Sequence, residues 1–285
     1  MRDAPTGPAD AEVAVVMPVY NRVELLARTV AGLVAQSYPH ELTRVVVADD
    51  GSEEDVSAAL APFRDQLDLT LVRREHAGYG AGQARNLGAR AAEGADVLVF
   101  IDADCLPDGD LVARHAEWHA KAANLVVIGS RHGLDTSSFT LEQLTSGRAA
   151  LREAAFGTAT PSDEQVRHED HRNVLHRRTA QLRTGSEGFR SLVSSNFSMR
   201  RDAFLASGGF AEDFTRWGGE DVELGWRLWN DGAFFVPEDR AICYHQLQED
   251  AWGDEGREAS KAQNAGIITT KIPHRFYRRY VPHRI

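Results

Sequence analysis

Cysteine is scarce: Cys105 and Cys243 are the only two in 285 residues. That excludes a disulfide framework and suits a reducing cytosol, with a single bridge between them left open. Basic residues are outnumbered, 32 Lys and Arg against 42 Asp and Glu, for a formal net charge of −10. A general nucleic-acid binder needs a basic face for phosphate contacts, so nucleic acid is not expected as a partner. Long apolar runs are missing as well. Val13 to Val19 and Val97 to Ile101 are the most apolar stretches, well short of the roughly 20 residues of a membrane span. Met1 to Asp10 has no charged segment leading into an apolar core, so it reads as a frayed leader and not a secretory signal. A cytoplasmic location is the expectation. What is present, 42% hydrophobic and 26% charged residues, is ordinary for a folded chain. The length suits one large α/β domain or a core with a substantial insertion.

Short β-branched runs alternate with amphipathic segments through the first half, the pattern of parallel strands joined by crossover helices. Strands are expected at Val13 to Met17, Arg44 to Asp49, Leu67 to Arg73 and Asp96 to Ile101. Helices are expected from Arg22 towards Gln36, through Ala58 and Leu60, and over Ala84 to Ala92. Asn21 is placed to cap the first helix, with Glu24 as the return partner of a capping box. A helix through Trp118 and a strand over Asn124 to Gly129 extend the sheet. The segment 132–190 turns polar and reads as an insertion with a helix around Leu141 to Ala155. Ser191 to Met199 is expected to be a strand, followed by a short helix from Asp202 to Ala206. A strong helix begins near Glu220 and stops at Gly232, with late strands at Phe234 to Val236 and Ala241 to Tyr244.

Several constellations carry chemistry. In Asp102-Ala103-Asp104, after an apolar strand, alternate carboxylates point to one side, as a hard divalent cation would need. A solvated turn gives the same pattern. Asp49 and Asp50 close another strand, where a carboxylate could accept from a nucleobase NH or a ribose hydroxyl; an Asx turn with Ser52 is the alternative. Tyr20, in Pro18-Val19-Tyr20-Asn21, could stack on a base. The turn Gly78 to Gly82 before Arg85 matches neither a P-loop nor a complete dinucleotide fingerprint. In Trp217-Gly218-Gly219-Glu220-Asp221 an indole stands beside two carboxylates, an arrangement that can hold a sugar ring, although carboxylates at a helix start also favour its dipole. His245, at the end of a late strand, could offer an imidazole to a metal.

Taken together and in this order, VVMPVYNR, VVVADDGSEED, GAGQARNLG, VFIDADC, SSNFSMRRDAFLASGGF and WGGEDVELGWRL resemble a family 2 glycosyltransferase of the GT-A fold. The last two segments also resemble galactosyl- and N-acetylgalactosaminyltransferases and chondroitin-polymerase-type domains. The resemblance covers about residues 13–131 and 191–245.

It implies an α/β fold with a mostly parallel nucleotide-binding sheet flanked by helices and an inserted acceptor-side helical region. One domain is expected: a nucleotide-sugar half (11–131), an insertion (132–190), an acceptor and catalytic half (191–248), and a C-terminal helix with a basic tail (249–285). By position, Pro18, Tyr20, Asp50, Arg85, Asp102 and Ala103 fall at the donor, Asp104 and His245 at Mn2+ or Mg2+, and Asp221 at the catalytic base. Glu220 falls beside that base and at the acceptor, with Asn196, Trp217 and Gly219. The implied reaction is inverting transfer of GlcNAc, GalNAc, Gal or Glc from a UDP-sugar to a hydroxyl of a carbohydrate, glycolipid, peptide or natural product. The tail, with Lys271, Arg275, Arg278, Arg279 and Arg284 among aromatics, could touch an anionic membrane or simply be solvated. A sugar-phosphate nucleotidyltransferase would instead release pyrophosphate from a nucleoside triphosphate, and a non-catalytic nucleotide-sugar-binding module would bind donor without turnover.

Overall fold

A computed structural model describes residues 11–146, 188–247 and 253–273, with short pieces at 151–153, 155, 175–177, 180 and 182. Its first half follows the expected alternation: β1 (Val13–Val19), α1 (Val23–Val34), β2 (Thr43–Asp49), α2 (Val56–Leu60), β3 (Asp68–Arg73), α3 (Ala81–Ala91) and β4 (Val97–Ile101). There follow β5 (Cys105–Pro107), α4 (Leu111–His119), β6 (Leu125–Leu134) and α5 (Leu141–Ser146). The second half supplies β7 (Asn196–Arg200), α6 (Arg201–Ala206), α7 (Glu220–Asn230), β8 (Phe234–Gln246) and α8 (Gly253–Lys271). The eight strands join in the order β3-β2-β1-β4-β7-β6-β8-β5. β1 pairs in parallel with β2 and β4, and β2 with β3. β7 runs antiparallel to β4 and β6, and β8 runs parallel to β6 and antiparallel to β5.

β1 and β4 are almost wholly buried because both faces of the sheet are covered. Val13, Val15 and Met17 face Leu26, Val30 and Leu33 of α1, while Ala14 and Val16 face the opposite core with Ala89, Phe204, Leu224 and Leu228. Such continuous apolar strands are what a doubly covered parallel sheet requires, each buried Leu or Val contributing about 1.5–3 kcal/mol. Gly88 lets α3 approach β1, since a Cβ there would come within 2.6 Å of Val16 Cγ1. A third cluster, of Phe189, Phe214, Val222, Trp226, Ile268 and Ile272, joins α7 to α8.

Several local expectations are corrected. Asn21 does not cap α1; Arg22 holds that position without a side-chain hydrogen bond, and both residues are left-handed, with φ of 54° and 65°. The Asn21 Oδ1 instead accepts from the backbone N–H groups of Glu53 (2.9 Å) and Glu54 (3.4 Å), tying β1 to the turn after β2. Glu24 accepts from Arg28 at 3.4 Å, so no capping box forms. Phe234 to Gln246 is one strand of 13 residues, not two, and the strand expected over Ser191 to Met199 begins only at Asn196 and runs to Arg200. The helix around Leu141 to Ala155 appears as α5 and a helical piece at 151–153, and most of segment 132–190 beyond α5 lies outside the described residues. Among the described residues no helix is long and apolar enough to cross a membrane.

Candidate active site

Because β1, β2 and β4 are parallel, their carboxyl ends share one rim, where open α/β sheets bind ligands. That rim borders a cavity of about 1050 Å3 whose wall includes Pro18, Tyr20, Asp50, Arg85, Asp102, Ala103, Asp104, Trp217 and His245. The two carboxylates that end β2 divide their tasks. Asp49 turns inward, accepting from Ser52 N–H (2.8 Å) and pairing with Arg73 (2.7 Å), and so closes the turn. Asp50 faces the cavity, held by the Arg74 guanidinium and by His76, whose Nδ1 lies 3.3 Å from Oδ2. The His76 ring stacks on Tyr20 with centroids 3.9 Å apart and planes 9° apart, while Tyr20 stays 42% exposed.

Asp102 and Asp104 follow β4. Asp102 Oδ1 accepts from Arg85 Nη2 at 2.5 Å, and Arg85, almost fully buried in the cavity wall, has Phe210 under its guanidinium. Ala103 is anchored by its carbonyl, which accepts from the buried Thr29 hydroxyl at 2.8 Å; Gln246 Nε2 donates to the same hydroxyl at 3.1 Å. Asp104 meets His245 because β5 and β8 are antiparallel in a register that puts Cys105 opposite His245. Its Oδ2 lies 3.6 Å from His245 Nε2 and 3.9 Å from Arg22. Burial would raise the Asp104 pKa, but the facing His245 imidazole, with Arg22 and Arg131, outweighs it and holds the carboxyl below the usual range.

These residues fit a divalent cation. Two ligands on adjacent positions of one octahedral ion stand roughly 3 Å apart, close to the Asp104–His245 separation. Ligand atoms of Asp102, Asp104 and Cys105 lie within 4.8 Å of one another. The Cys105 Sγ is 3.7 Å from Asp104 Oδ1, but its hydrogen bond with the Cys243 thiol, and burial after it, push its pKa well up, against the thiolate that a metal ligand needs.

At the opposite wall the Trp217-Gly218-Gly219 turn leads into α7. Glu220 is buried, with Oε1 accepting from Tyr79 at 3.3 Å and lying 4.0 Å from Arg85. Burial, with Asp221 beside it, pushes its pKa up to about 7. Burial and the Glu220 charge likewise raise the Tyr79 phenol well above its ordinary value. Asp221 is half-buried and its Oδ1 accepts from Val222 N–H at 2.9 Å; it is the second residue of α7 and does not line the cavity.

Asn196 is a correction. It is fully buried, donating to the carbonyls of Ser130 and Ala241 (both 2.9 Å) and accepting from His115 at 2.9 Å, so it braces β6, β7 and β8 and does not line the cavity. Arg74, His76, Tyr79, Arg22 and Arg131 were not singled out from the sequence. Arg22 and Tyr79 sit inside segments the sequence did single out, VVMPVYNR and the Gly78 to Gly82 turn, while Arg74, His76 and Arg131 have no motif of their own and only the fold brings them to the rim.

The chain belongs to glycosyl transferase family 2, whose sequence model matches residues 14–206; the model described as "N-terminal domain of galactosyltransferase" matches residues 177–242. It is 32% identical over 273 residues to a chondroitin synthase of Escherichia coli, covering 94% of this chain but 39% of that protein. It thus spans well under half the length of that relative. Among solved structures it resembles S. aureus TarS 1-349 in complex with UDP-GlcNAc (TM-score 0.61, 15% identity, 93% of this chain and 69% of that one). It also resembles the mannosyltransferase PcManGT of Pyrobaculum calidifontis in complex with GDP-Man and Mn2+ (TM-score 0.55, 20% identity, 92% and 64%). The fold is the GT-A fold expected from the motifs.

Proposed function

We propose that this chain transfers a sugar, GlcNAc, GalNAc, Gal or Glc, from a UDP-sugar to an acceptor hydroxyl with inversion at the anomeric carbon. The observation that carries this reading is one cavity on which Tyr20 and Asp50, Asp102 and Asp104, His245 and Trp217 all border, although they span 226 residues of sequence (245 − 20 + 1). The resemblance to TarS in complex with UDP-GlcNAc supports a UDP-sugar; PcManGT with GDP-Man makes the base a matter for experiment.

In this reading Pro18, Tyr20 and Asp50 receive the nucleoside, with the Asp50 carboxylate accepting from a base N–H and Tyr20 offering a stacking face. The His76 ring, now stacked on Tyr20, would share or yield that face. Arg85 fixes Asp102, and the Thr29 hydroxyl fixes Ala103, so the segment beside the diphosphate is preorganised. Asp104 and His245 would hold Mn2+ or Mg2+, which when bound neutralises charge on the departing nucleotide. Asp221 takes the proton from the acceptor hydroxyl as general base. Glu220, protonated below about pH 7, can donate a hydrogen bond to an acceptor oxygen, and Trp217 with Gly219 forms the sugar platform. Residues 11–131 and 191–248 act as donor and acceptor halves of one domain. The acceptor is a carbohydrate, glycolipid, peptide or natural product, and the basic tail makes peripheral contact with an anionic membrane at the cytoplasmic face. Of that tail Lys271 is described, paired with Asp213 at 3.1 Å; Arg275, Arg278, Arg279 and Arg284 lie outside the described residues.

The test is a screen of sugar nucleotides with Mn2+, following release of the nucleoside diphosphate with and without candidate acceptors. Turnover that stops on chelation, and an Asp221→Asn variant that binds UDP normally but transfers no sugar, are expected. Transfer by Asp221→Asn at the wild-type rate removes Asp221 from its role, and binding of every donor without product reduces the chain to a nucleotide-sugar-binding module.

A further inference from the structure

Helix α8 lies beyond both family matches, which end at 206 and 242. It is nevertheless anchored on the turn that carries the acceptor-side residues. Asn264, 1% exposed, donates from Nδ2 to three successive carbonyls, those of Arg216 (3.1 Å), Trp217 (3.2 Å) and Gly218 (2.6 Å). One amide has two hydrogens, so three acceptors share them, and the arrangement depends on the curvature of the turn. That turn has little to hold it locally. Gly218 and Gly219 are both left-handed, at φ of 91° and 104°, and a Cβ on Gly218 would meet nothing within 4 Å.

The rest of the same helix face continues the attachment. Ile268 and Ile272 pack with Phe214, Val222 and Trp226. A Cβ on Gly219 would come within 2.8 Å of Ile268 Cδ1. Arg257 and Lys261 place their cations 5.5 and 5.8 Å from the centroid of the Trp217 ring, and Lys271 pairs with Asp213. Residues 257, 261, 264, 268, 271 and 272 recur at three- and four-residue intervals, so they share one stripe of the helix. All of them meet the segment 213–226.

We propose that α8 is part of the acceptor site and that Asn264 is a positioning residue, which fixes the Trp217 ring against the cavity and, through the same turn, the Glu220-Asp221 start of α7 behind it. Asn264 touches no substrate; it acts through the backbone of the turn. The proposal rests on the glycosyl-transfer reading for its effect on turnover, while the anchoring itself can be read without turnover.

The experiment compares the full chain with Asn264→Ala, Asn264→Asp and Asn264→Gln. Asn264→Asp keeps the shape but faces three carbonyls with oxygens, whereas Asn264→Gln keeps an amide donor. Hydrogen exchange of the amides from 216 to 222 should speed up at least tenfold in the Ala and Asp variants, with exchange in β1 and β4 unchanged. In transfer assays the donor KM and UDP affinity should stay at wild-type values, acceptor kcat/KM should fall at least tenfold, and Asn264→Gln should recover part of it. Wild-type acceptor kinetics in Asn264→Ala and Asn264→Asp would overturn the proposal. So would a parallel loss of donor and acceptor binding that Asn264→Gln does not relieve, which marks a general loss of fold. If the wild type turns over no sugar nucleotide, the proposed function fails and exchange alone decides the anchoring: unchanged exchange in Asn264→Ala overturns it.

Discussion

Acid should loosen this fold through two buried imidazoles behind the site. Asn196 Nδ2 donates to two carbonyls, so its Oδ1 must accept from His115 Nε2–H. His115 Nδ1 then accepts from the Ser198 hydroxyl at 2.8 Å, and Ser198 Oγ accepts from His119 Nε2–H at 2.7 Å. The chain closes with both rings neutral. Burial lowers the pKa of His115 to about 4, and burial with the neighbouring His115 and Arg200 charges lowers that of His119 to about 3. Both folded values lie below the ordinary 6.5, so the unfolded chain takes up protons first. The stability these rings contribute is complete above pH 6.5 and is lost as pH falls towards 4. At pH 5 linkage gives a loss of about 2 kcal/mol per ring and about 4 for the pair, a large part of a marginal total. The assay is urea unfolding of wild type and His119→Gln between pH 8 and 5, since glutamine keeps an N–H for Ser198 without titrating. The variant should lose about 2 kcal/mol less than wild type over that range. Parallel pH profiles would refute the reasoning.

Gly219→Ala should cost on the order of 2–4 kcal/mol, summing a left-handed backbone and overpacking where the new Cβ would stand 2.8 Å from Ile268 Cδ1; thermal melting reads the loss, and Ile268→Ala in the same chain should recover part of it. Thr29→Val preserves shape but leaves the Ala103 carbonyl without its hydroxyl donor and removes one of the acceptors of Gln246 Nε2. It should destabilise by about 1–3 kcal/mol and weaken UDP binding measured by calorimetry; an unchanged affinity would separate Thr29 from the Asp102–Asp104 segment.

The βα alternation was legible because burial on both faces of a parallel sheet leaves near-continuous Val and Ile runs, as in β1, β2 and β4. Asp102, Asp104 and Asp50 were legible for the same reason: carboxylates at the ends of such runs stand out. The cap at Asn21 misled because a short polar side chain before a helix usually serves that helix, whereas here the backbone amides of Glu53 and Glu54 compete for it. Asn196 misled because its neighbourhood in the sequence is a motif, while its three hydrogen bonds come from α4, β6 and β8. β5, three residues long, is too short to leave a periodic signal.

By itself the sequence determined the family, the strand-ending acids and the glycine turn before Glu220, since each depends on local backbone chemistry or on a string of residue types. Tertiary structure alone decided that Asp104 meets His245, through the antiparallel register of β5 on β8, and that His76 covers Tyr20. It also decided that α8 grips the Trp217 turn. Those meetings join residues 40 to 141 positions apart, from Arg257 with Trp217 to Asp104 with His245, and a register between distant strands is set by the packing of the whole sheet and not by any segment of the chain.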